Sequence, residues 1–151
     1  MFFLITYLKR LIFLVLIYST SRIYFYLNNI QSFNNVSIKE FIEGWRFDFS
    51  ALMYINILVL ILILFPTNIR KKNNYIKFTN TLFYIVNIPF IIINNIDIIY
   101  FQFTQKRSTI DLFQLIQLGE DAKNIIPQYL KDYWLTTLFT IIQIWFLFRI
   151  R

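Results

Sequence analysis

The sequence predicts an all-α, polytopic membrane protein, and three observations indicate this fold class. The chain of 151 residues is 58% hydrophobic and 21% aromatic. Only 15% of its residues are charged, whereas a water-soluble domain is charged at about a quarter of its positions. The apolar residues are also gathered into four long runs, each close to the ~20 residues that a helix needs to cross a bilayer.

Four segments are predicted to span the membrane, at about residues 11–27, 49–65, 78–101 and 133–148. Pro66 follows the second segment and predicts its end, because proline cannot continue a helix as a hydrogen-bond donor. Pro89 lies inside the third segment and predicts a kink there.

The basic residues are distributed unequally between the two sides of this four-span arrangement. All eight acidic residues lie on one side or near its boundary, and eight basic residues share the other side without any acid. The positive-inside rule therefore predicts that both termini are cytoplasmic. The net charge of +7 then indicates contact with the phospholipid bilayer and its anionic lipids rather than with nucleic acid. The eight basic residues are Lys9, Arg10, Arg70, Lys71, Lys72, Lys77, Arg149 and Arg151.

Two connections on the outer side are expected to form helices at the membrane interface. Residues 28–46 are polar and end in IKEFIEGW, which predicts a short helix. Residues 108–131 predict a second, amphipathic helix, with apolar residues at one face and Asp111, Gln114 and Gln117 at the other. The alternative is a cap that packs on the other helices without contacting lipid.

The composition excludes several kinds of chemistry. Without cysteine or histidine, the chain lacks thiolate nucleophiles, imidazole bases and the commonest zinc ligands. Two glycines in the whole chain exclude a glycine-rich phosphate-binding loop. No nucleophile, base and metal ligands occur together, so we expect no catalytic residue, no cofactor and no metal site in this chain.

Charged residues at the edges of the predicted spans suggest an ion pair. Arg46 and Asp48 lie at the outer start of the second span, and Asp97 lies near the outer end of the third. Ionisable groups at such depths are unfavourable unless they are paired or reach water. We therefore predict an intramembrane pair between Arg46 and Asp97, with a local Arg46–Asp48 pair or simple solvation as the alternatives.

Three asparagines repeat at intervals of seven residues in the third span: Asn80, Asn87 and Asn94. On a helix they lie on nearly one face, and Asp97 joins that face. Asparagines in membranes hydrogen-bond between helices, so the favoured interpretation is helix packing. A polar ion path is the alternative. It receives less support, because proton relays use several ionisable side chains, whereas this face has one acid and the chain has no histidine.

Three stretches of the chain resemble a known family. The runs GWRFDFSALMYIN, NIDIIYFQFTQKRST and DLFQLIQLGEDAKNIIPQYLKDYW are similar to the N-terminal membrane region of bacterial lipoteichoic acid synthase-like proteins. These are phosphoglycerol transferases of the sulfatase/alkaline phosphatase superfamily, and the likeness is to Bacteroidetes members. The resemblance covers most of the chain, from about Leu8 to Arg151.

The resemblance implies five helices in a bacterial cytoplasmic (inner) membrane, followed by an extracytoplasmic catalytic domain. That domain carries a threonine nucleophile and a divalent metal, commonly manganese. The present sequence ends at FRIR, and none of its residues matches the nucleophile or the metal ligands. The expectation is therefore a membrane anchor that is catalytically silent by itself, with a separately encoded catalytic domain as a possible partner. Arg46, Lys106 and Arg107 are its expected contacts with lipid head groups.

Two other functions are compatible with the same sequence. The first is a small stand-alone transport or assembly subunit, in which Asp97 and the asparagine face would line a polar path. The second is a non-functional, truncated gene product, which the residues with AT-rich codons also suggest. Replacement of Asp97 by asparagine distinguishes the transport subunit from the membrane anchor. It would abolish transport, whereas in an anchor it would mainly loosen the packing of the helices.

Overall fold

The computed structural model describes residues 2–33, 37–64, 72–107 and 127–149, with side chains from residue 5 onward. This part of the chain is helical and contains no strand. A single 3₁₀ turn, Ile30–Ser32, follows the first helix, and residues 127–132 are helical just before the last one. The five α-helices are α1 (Phe2–Asn28), α2 (Ile38–Ile55), α3 (Ile57–Leu64), α4 (Asn73–Thr104) and α5 (Trp134–Arg149).

The helices form a bundle in which α1 packs against each of the other four. Helices α1 and α4 are parallel, because Arg10 lies beside Asn80 and Asn29 lies beside Ile98 further along both helices. The α2–α3 pair and α5 run in the opposite direction. The chain therefore reverses direction between successive elements of the bundle.

Two helices are long and apolar enough to cross a membrane: α4, and α1 over Ile5–Asn28. The α2–α3 pair would be a third span if its two bent parts are one crossing. Helix α5 has 16 residues, about 24 Å of rise, which is less than the ~30 Å of a hydrocarbon core. The structure thus shows an all-helical chain with two or three candidate spans, and the fourth predicted span stays a prediction.

The connection before the second span differs from the prediction. IKEFIEGW does not form a separate interfacial helix but is the beginning of α2, which continues without a break to Ile55. The helix starts here because the Ser37 backbone N–H donates to Glu40 Oε2 at 3.1 Å, as in a capping box. A second interfacial helix is predicted over residues 108–131. Residues 108–126 of this segment lie outside the part of the chain that the structure describes.

The break in a span occurs at Asn56 rather than at Pro89. Helices α2 and α3 meet at Asn56 with a bend of 63°. The Asn56 side chain donates to the Leu52 carbonyl at 3.0 Å, where it competes with the helical hydrogen-bond ladder. Helix α4 instead continues through Pro89 as one helix of 32 residues. The bend between α2 and α3 therefore coincides with Asn56, whose side chain bonds to Asn87 on another helix.

Large apolar side chains occur both in the interior of the bundle and on its outer surface. A hydrophobic cluster from all the helices is buried between them, including Leu14, Leu52, Val59, Phe83, Ile91 and Leu147. Many other large apolar side chains point outward, such as Leu16, Ile85 and Ile141. Exposed apolar surface of this extent is unfavourable in water and favourable against lipid chains. The outward faces are therefore suited to contact with lipid chains, as the candidate spans would require.

The bend yields a testable prediction about the pair of buried amides, Asn56 and Asn87. Replacing either one by alanine leaves the other amide without its partner, which should lower the free energy of unfolding in bicelles by about 1–2 kcal/mol. The double variant should show a coupling energy of about 1 kcal/mol. Asn74→Ala, at an exposed position of the same helix, is the matched control. Additive single effects would contradict the proposed pairing.

Candidate functional site

Polar side chains join the helices at several levels, beginning where α1 and α4 enter the bundle. Arg10 is only 8% exposed, and its Nη1 donates to Asn80 Oδ1 at 2.7 Å. The guanidinium also lies over the Phe83 ring, 5.3 Å from its centroid. The sequence placed Arg10 in a loop before the first span, whereas the structure places it inside α1, packed against α4. We call this region the Arg10 end.

The middle of the bundle is held by an amide pair between α2–α3 and α4. Asn56 Nδ2 donates to Asn87 Oδ1 at 2.9 Å, and Asn87 Nδ2 donates to Asn56 Oδ1 at 2.8 Å. Both residues are fully buried. Each amide also donates to a carbonyl four residues earlier in its own helix, Leu52 and Phe83 respectively. These two side chains therefore satisfy each other inside an apolar interior.

A second polar cluster joins three helices. Ser21 on α1 donates to Asn95 Oδ1 on α4 at 3.0 Å, and Asn95 Nδ2 donates to Gln143 Oε1 on α5 at 2.7 Å. Gln143 Nε2 in turn donates to the Ser21 hydroxyl at 2.9 Å. All three residues are buried. This closed triangle positions α5 against α1 and α4.

The shortest ion pair among the described residues lies where α1 leaves the bundle and α2 enters it. Arg22 Nη2 is 2.6 Å from Asp48 Oδ1, and Arg22 Nε donates to Asp48 Oδ2 at 3.1 Å. Arg22 Nη2 also donates to the Gly44 carbonyl at 2.8 Å. A Cβ atom at Gly44 would overlap the guanidinium of Arg22, so this arrangement needs glycine there. The geometry is that of a bidentate, charge-assisted pair.

The predicted pair between Arg46 and Asp97 is not formed among the described residues. Arg46 is exposed, and its backbone carbonyl accepts a hydrogen bond from the Ser50 hydroxyl at 2.9 Å. Residues two apart on a helix point in nearly opposite directions. Because Asp48 faces Arg22, Arg46 is turned away from the bundle. The local Arg46–Asp48 pair is excluded by the same geometry.

Asp97 lies instead beside a basic residue that follows α4. Its Oδ2 atom is 3.8 Å from Arg107 Nε. The Asp97 side chain is 9% exposed and the Arg107 side chain 57%. The Arg107 guanidinium also lies over the Phe25 ring at 5.0 Å from its centroid. The region that contains Asp97, Arg107, Arg22 and Asp48 is here called the Asp97 end.

A groove of about 680 Å³ opens on the side of the bundle below these charges. Its walls come from α1, α2 and α4, and Asp97 and Arg107 line its polar end. The groove is open to the surroundings rather than enclosed. The remaining lining residues are Tyr18, Ala51, Tyr54, Ile55, Phe90, Ile93 and Asn94.

The predicted asparagine face is realised only in part. Asn80 and Asn87 form inter-helix hydrogen bonds. Asn94 is half-buried, lines the groove and has no hydrogen bond among the described residues. The neighbouring Asn95 carries that contact, because a bundle that buries α4 on more than one side also uses residues outside the seven-residue repeat. Lys106, the third predicted head-group contact, is exposed.

Several functional positions were missed from the sequence. Arg22 is the clearest, since an arginine inside an apolar run needs a partner and Asp48 is the acid that a hairpin of α1 and α2 brings close. The sequence gives no comparable indication for three buried amides, Asn56, Asn95 and Gln143. Their inter-helix hydrogen bonds depend on which helices pack together, and the sequence alone does not show this.

The described residues contain no group of three acidic side chains that could hold a metal ion. Outside the candidate spans, burial raises the pKa of Tyr129 to about 12. Its phenol therefore stays protonated at neutral pH. Among the described residues, the inter-helix hydrogen bonds and the Arg22–Asp48 pair hold helices together. Asp97 and Arg107 at the groove could contact a polar ligand.

Comparison of the chain with known protein families, with curated proteins and with solved structures finds no match.

The ion pairs predict unequal effects for two arginines, Arg22 on α1 and Arg46 on α2. Arg22→Gln leaves Asp48 without its charged partner and should lower the free energy of unfolding in bicelles by about 2–4 kcal/mol. Arg46→Gln, the matched control at an exposed position, should change it by no more than about 0.5 kcal/mol. Equal effects of the two substitutions would contradict the assignment of Arg22 as the partner of Asp48.

Proposed function

We propose that this chain is the membrane-embedded part of a lipoteichoic acid synthase-like phosphoglycerol transferase. Its role is that of an anchor that contacts lipid head groups and carries out no catalysis by itself. The observation that carries the proposal is the division of the bundle into outward apolar faces and inward polar pairs, with exposed cations gathered at the Asp97 end. The family assignment comes from the three stretches that resemble this family.

The cations at the Asp97 end support the contact with head groups. Arg46 is two residues from Asp48, which pairs with Arg22, and Arg107 lies over the ring of Phe25 one turn further along α1. Lys106 precedes Arg107. All three basic side chains are exposed, and exposed basic residues at an anionic membrane surface contribute about 1 kcal/mol each to lipid binding.

The orientation in the membrane belongs to the same proposal. Exposed lysines at the Arg10 end, including Lys9, Lys72 and Lys77, favour a cytoplasmic location for that end under the positive-inside rule. The Asp97 end would then face outward, where a catalytic domain of the family would act on phospholipid head groups. A catalytic domain of the family is the partner that this orientation would suit.

The transport alternative receives less support from the geometry. It requires a polar path along Asp97 and the asparagine face. Asn80 is bonded to Arg10 and Asn87 to Asn56, so these amides hold helices together. Asp97 has Arg107 beside it, which neutralises the one acid on which a relay would depend.

The proposal predicts that the outer cations attract anionic lipid. The chain is reconstituted in vesicles with labelled phosphatidylglycerol confined to the leaflet at the Asp97 end, and lipid enrichment is measured by energy transfer from the tryptophans. Neutralising Arg46, Lys106 and Arg107 to glutamine should reduce the enrichment at least about fivefold, the effect of ~1 kcal/mol.

The matched control neutralises three cations at the other end: Lys9, Lys72 and Lys77, each to glutamine. It removes the same charge but should leave enrichment in this leaflet unchanged, because the Debye length at physiological salt is about 8 Å. Unchanged enrichment in the variant of Arg46, Lys106 and Arg107 would refute the head-group contact.

A further inference from the structure

We propose that the groove at the Asp97 end is a binding site for one ethanolamine phospholipid. One acyl chain lies along the apolar wall, the phosphate contacts Arg107, and the primary ammonium group contacts Asp97. The inference rests on the proposed function in one respect, namely that the bundle lies in a membrane. It goes further by assigning a site, a ligand class and a role for each of the two charges.

The apolar part of the groove fits a lipid chain. Along α4 the lining runs from Phe90 to Asp97, a rise of about 10 Å. Ala51 and Ile55 form the opposite wall on α2, and the small side chain of Ala51 leaves room between the helices. The volume is in the range of about 300–1,000 Å³ that small-molecule sites occupy. A groove that opens sideways in a bilayer meets acyl chains rather than water.

The polar end of the groove carries one positive and one negative charge. The Arg107 side chain is 57% exposed, and the distance of 3.8 Å to Asp97 is longer than a direct hydrogen bond. Arg107 can therefore contact a ligand while it stays near Asp97. Arg22 and Asp48, in contrast, are joined at 2.6 Å and satisfy each other. Among the described residues, Arg107 and Asp97 thus bring one charge of each sign to the polar end of the groove.

This charge pattern selects among phospholipid head groups. A phosphatidylglycerol head group matches Arg107 but brings its negative phosphate close to Asp97 without a cation to compensate. A phosphatidylcholine head group has a cation without N–H donors. The ammonium of phosphatidylethanolamine supplies both a positive charge and donors, and a carboxylate has up to about four acceptor positions, so it can accept them beside Arg107.

The test measures which lipid the full chain retains. The protein is extracted from bilayers containing equal amounts of phosphatidylethanolamine, phosphatidylcholine and phosphatidylglycerol, and bound lipid is counted by native mass spectrometry. Wild type should retain one phosphatidylethanolamine, with occupancy at least about tenfold above that of phosphatidylcholine. Asp97→Asn should remove this preference, and Arg107→Gln should remove the retained phospholipid of either kind.

A pair of bulky substitutions tests the site without altering any charge. Ala51→Trp fills the groove and should abolish lipid retention. Ser50→Trp adds the same side chain at the neighbouring exposed position outside the groove lining and should leave retention as in wild type. Because both side chains are exposed, neither substitution disturbs the core, and the comparison remains valid if Asp97→Asn fails to fold.

Two results would overturn the inference: equal retention by the two tryptophan variants, or a wild-type preference for phosphatidylglycerol or phosphatidylcholine. Its failure can be distinguished from failure of the proposed function. If the outer cations attract phosphatidylglycerol but no phosphatidylethanolamine is retained, only the groove assignment fails. If phosphatidylethanolamine is retained but neutralising Arg46, Lys106 and Arg107 leaves phosphatidylglycerol enrichment unchanged, only the anchor's contact with anionic head groups fails.

Discussion

The bundle depends on the need of its buried polar side chains to satisfy one another. Inside an apolar interior surrounded by lipid, a lone amide or guanidinium has no water to bond with. Arg10 therefore bonds to Asn80, Asn56 to Asn87, and Asn95 to Ser21 and Gln143. Each contact joins different helices, so it fixes their register as well as satisfying its own atoms. Between helices in lipid, apolar packing alone discriminates registers weakly.

The same requirement applies to the charged side chains at the Asp97 end. Arg22 and Asp48 neutralise each other in a bidentate pair. Asp97 and Arg107 form a looser contact at the mouth of an open groove. A tight pair stabilises the junction between α1 and α2, whereas a loose pair beside an apolar groove is suited to an amphiphile. One end of the bundle thus combines a structural ion pair and a ligand-binding one.

Much of the helical character could be predicted from the sequence, because apolar runs of span length and a glycine content of two residues allow few alternatives. Helix α5, Trp134–Arg149, lies close to its predicted segment, whereas α1 begins at Phe2, well before the predicted start near residue 11. The partners could not be predicted in the same way. Arg46 and Asp97 lie at suitable depths, but the rotation of α2 presents Asp48 to the bundle and turns Arg46 outward. The seven-residue repeat likewise predicted inter-helix contacts for Asn80 and Asn87, which the structure has. It also predicted one for Asn94, but Asn95 forms that contact. The reason is that α4 packs against several helices, so its buried residues do not all lie on a single face.

The account is tested most directly by two asparagines that are adjacent in α4. Asn95 is 1% exposed and bonded to two helices, whereas Asn94 lines the groove without a hydrogen bond among the described residues. The measurement is the free energy of unfolding in bicelles for Asn95→Leu and Asn94→Leu. We predict a loss of about 2 kcal/mol for Asn95→Leu, because Ser21 and Gln143 lose their partner, and a change within about 0.5 kcal/mol for Asn94→Leu. Equal changes, or a larger loss at Asn94, would contradict the claim that inward polar pairs hold this bundle together.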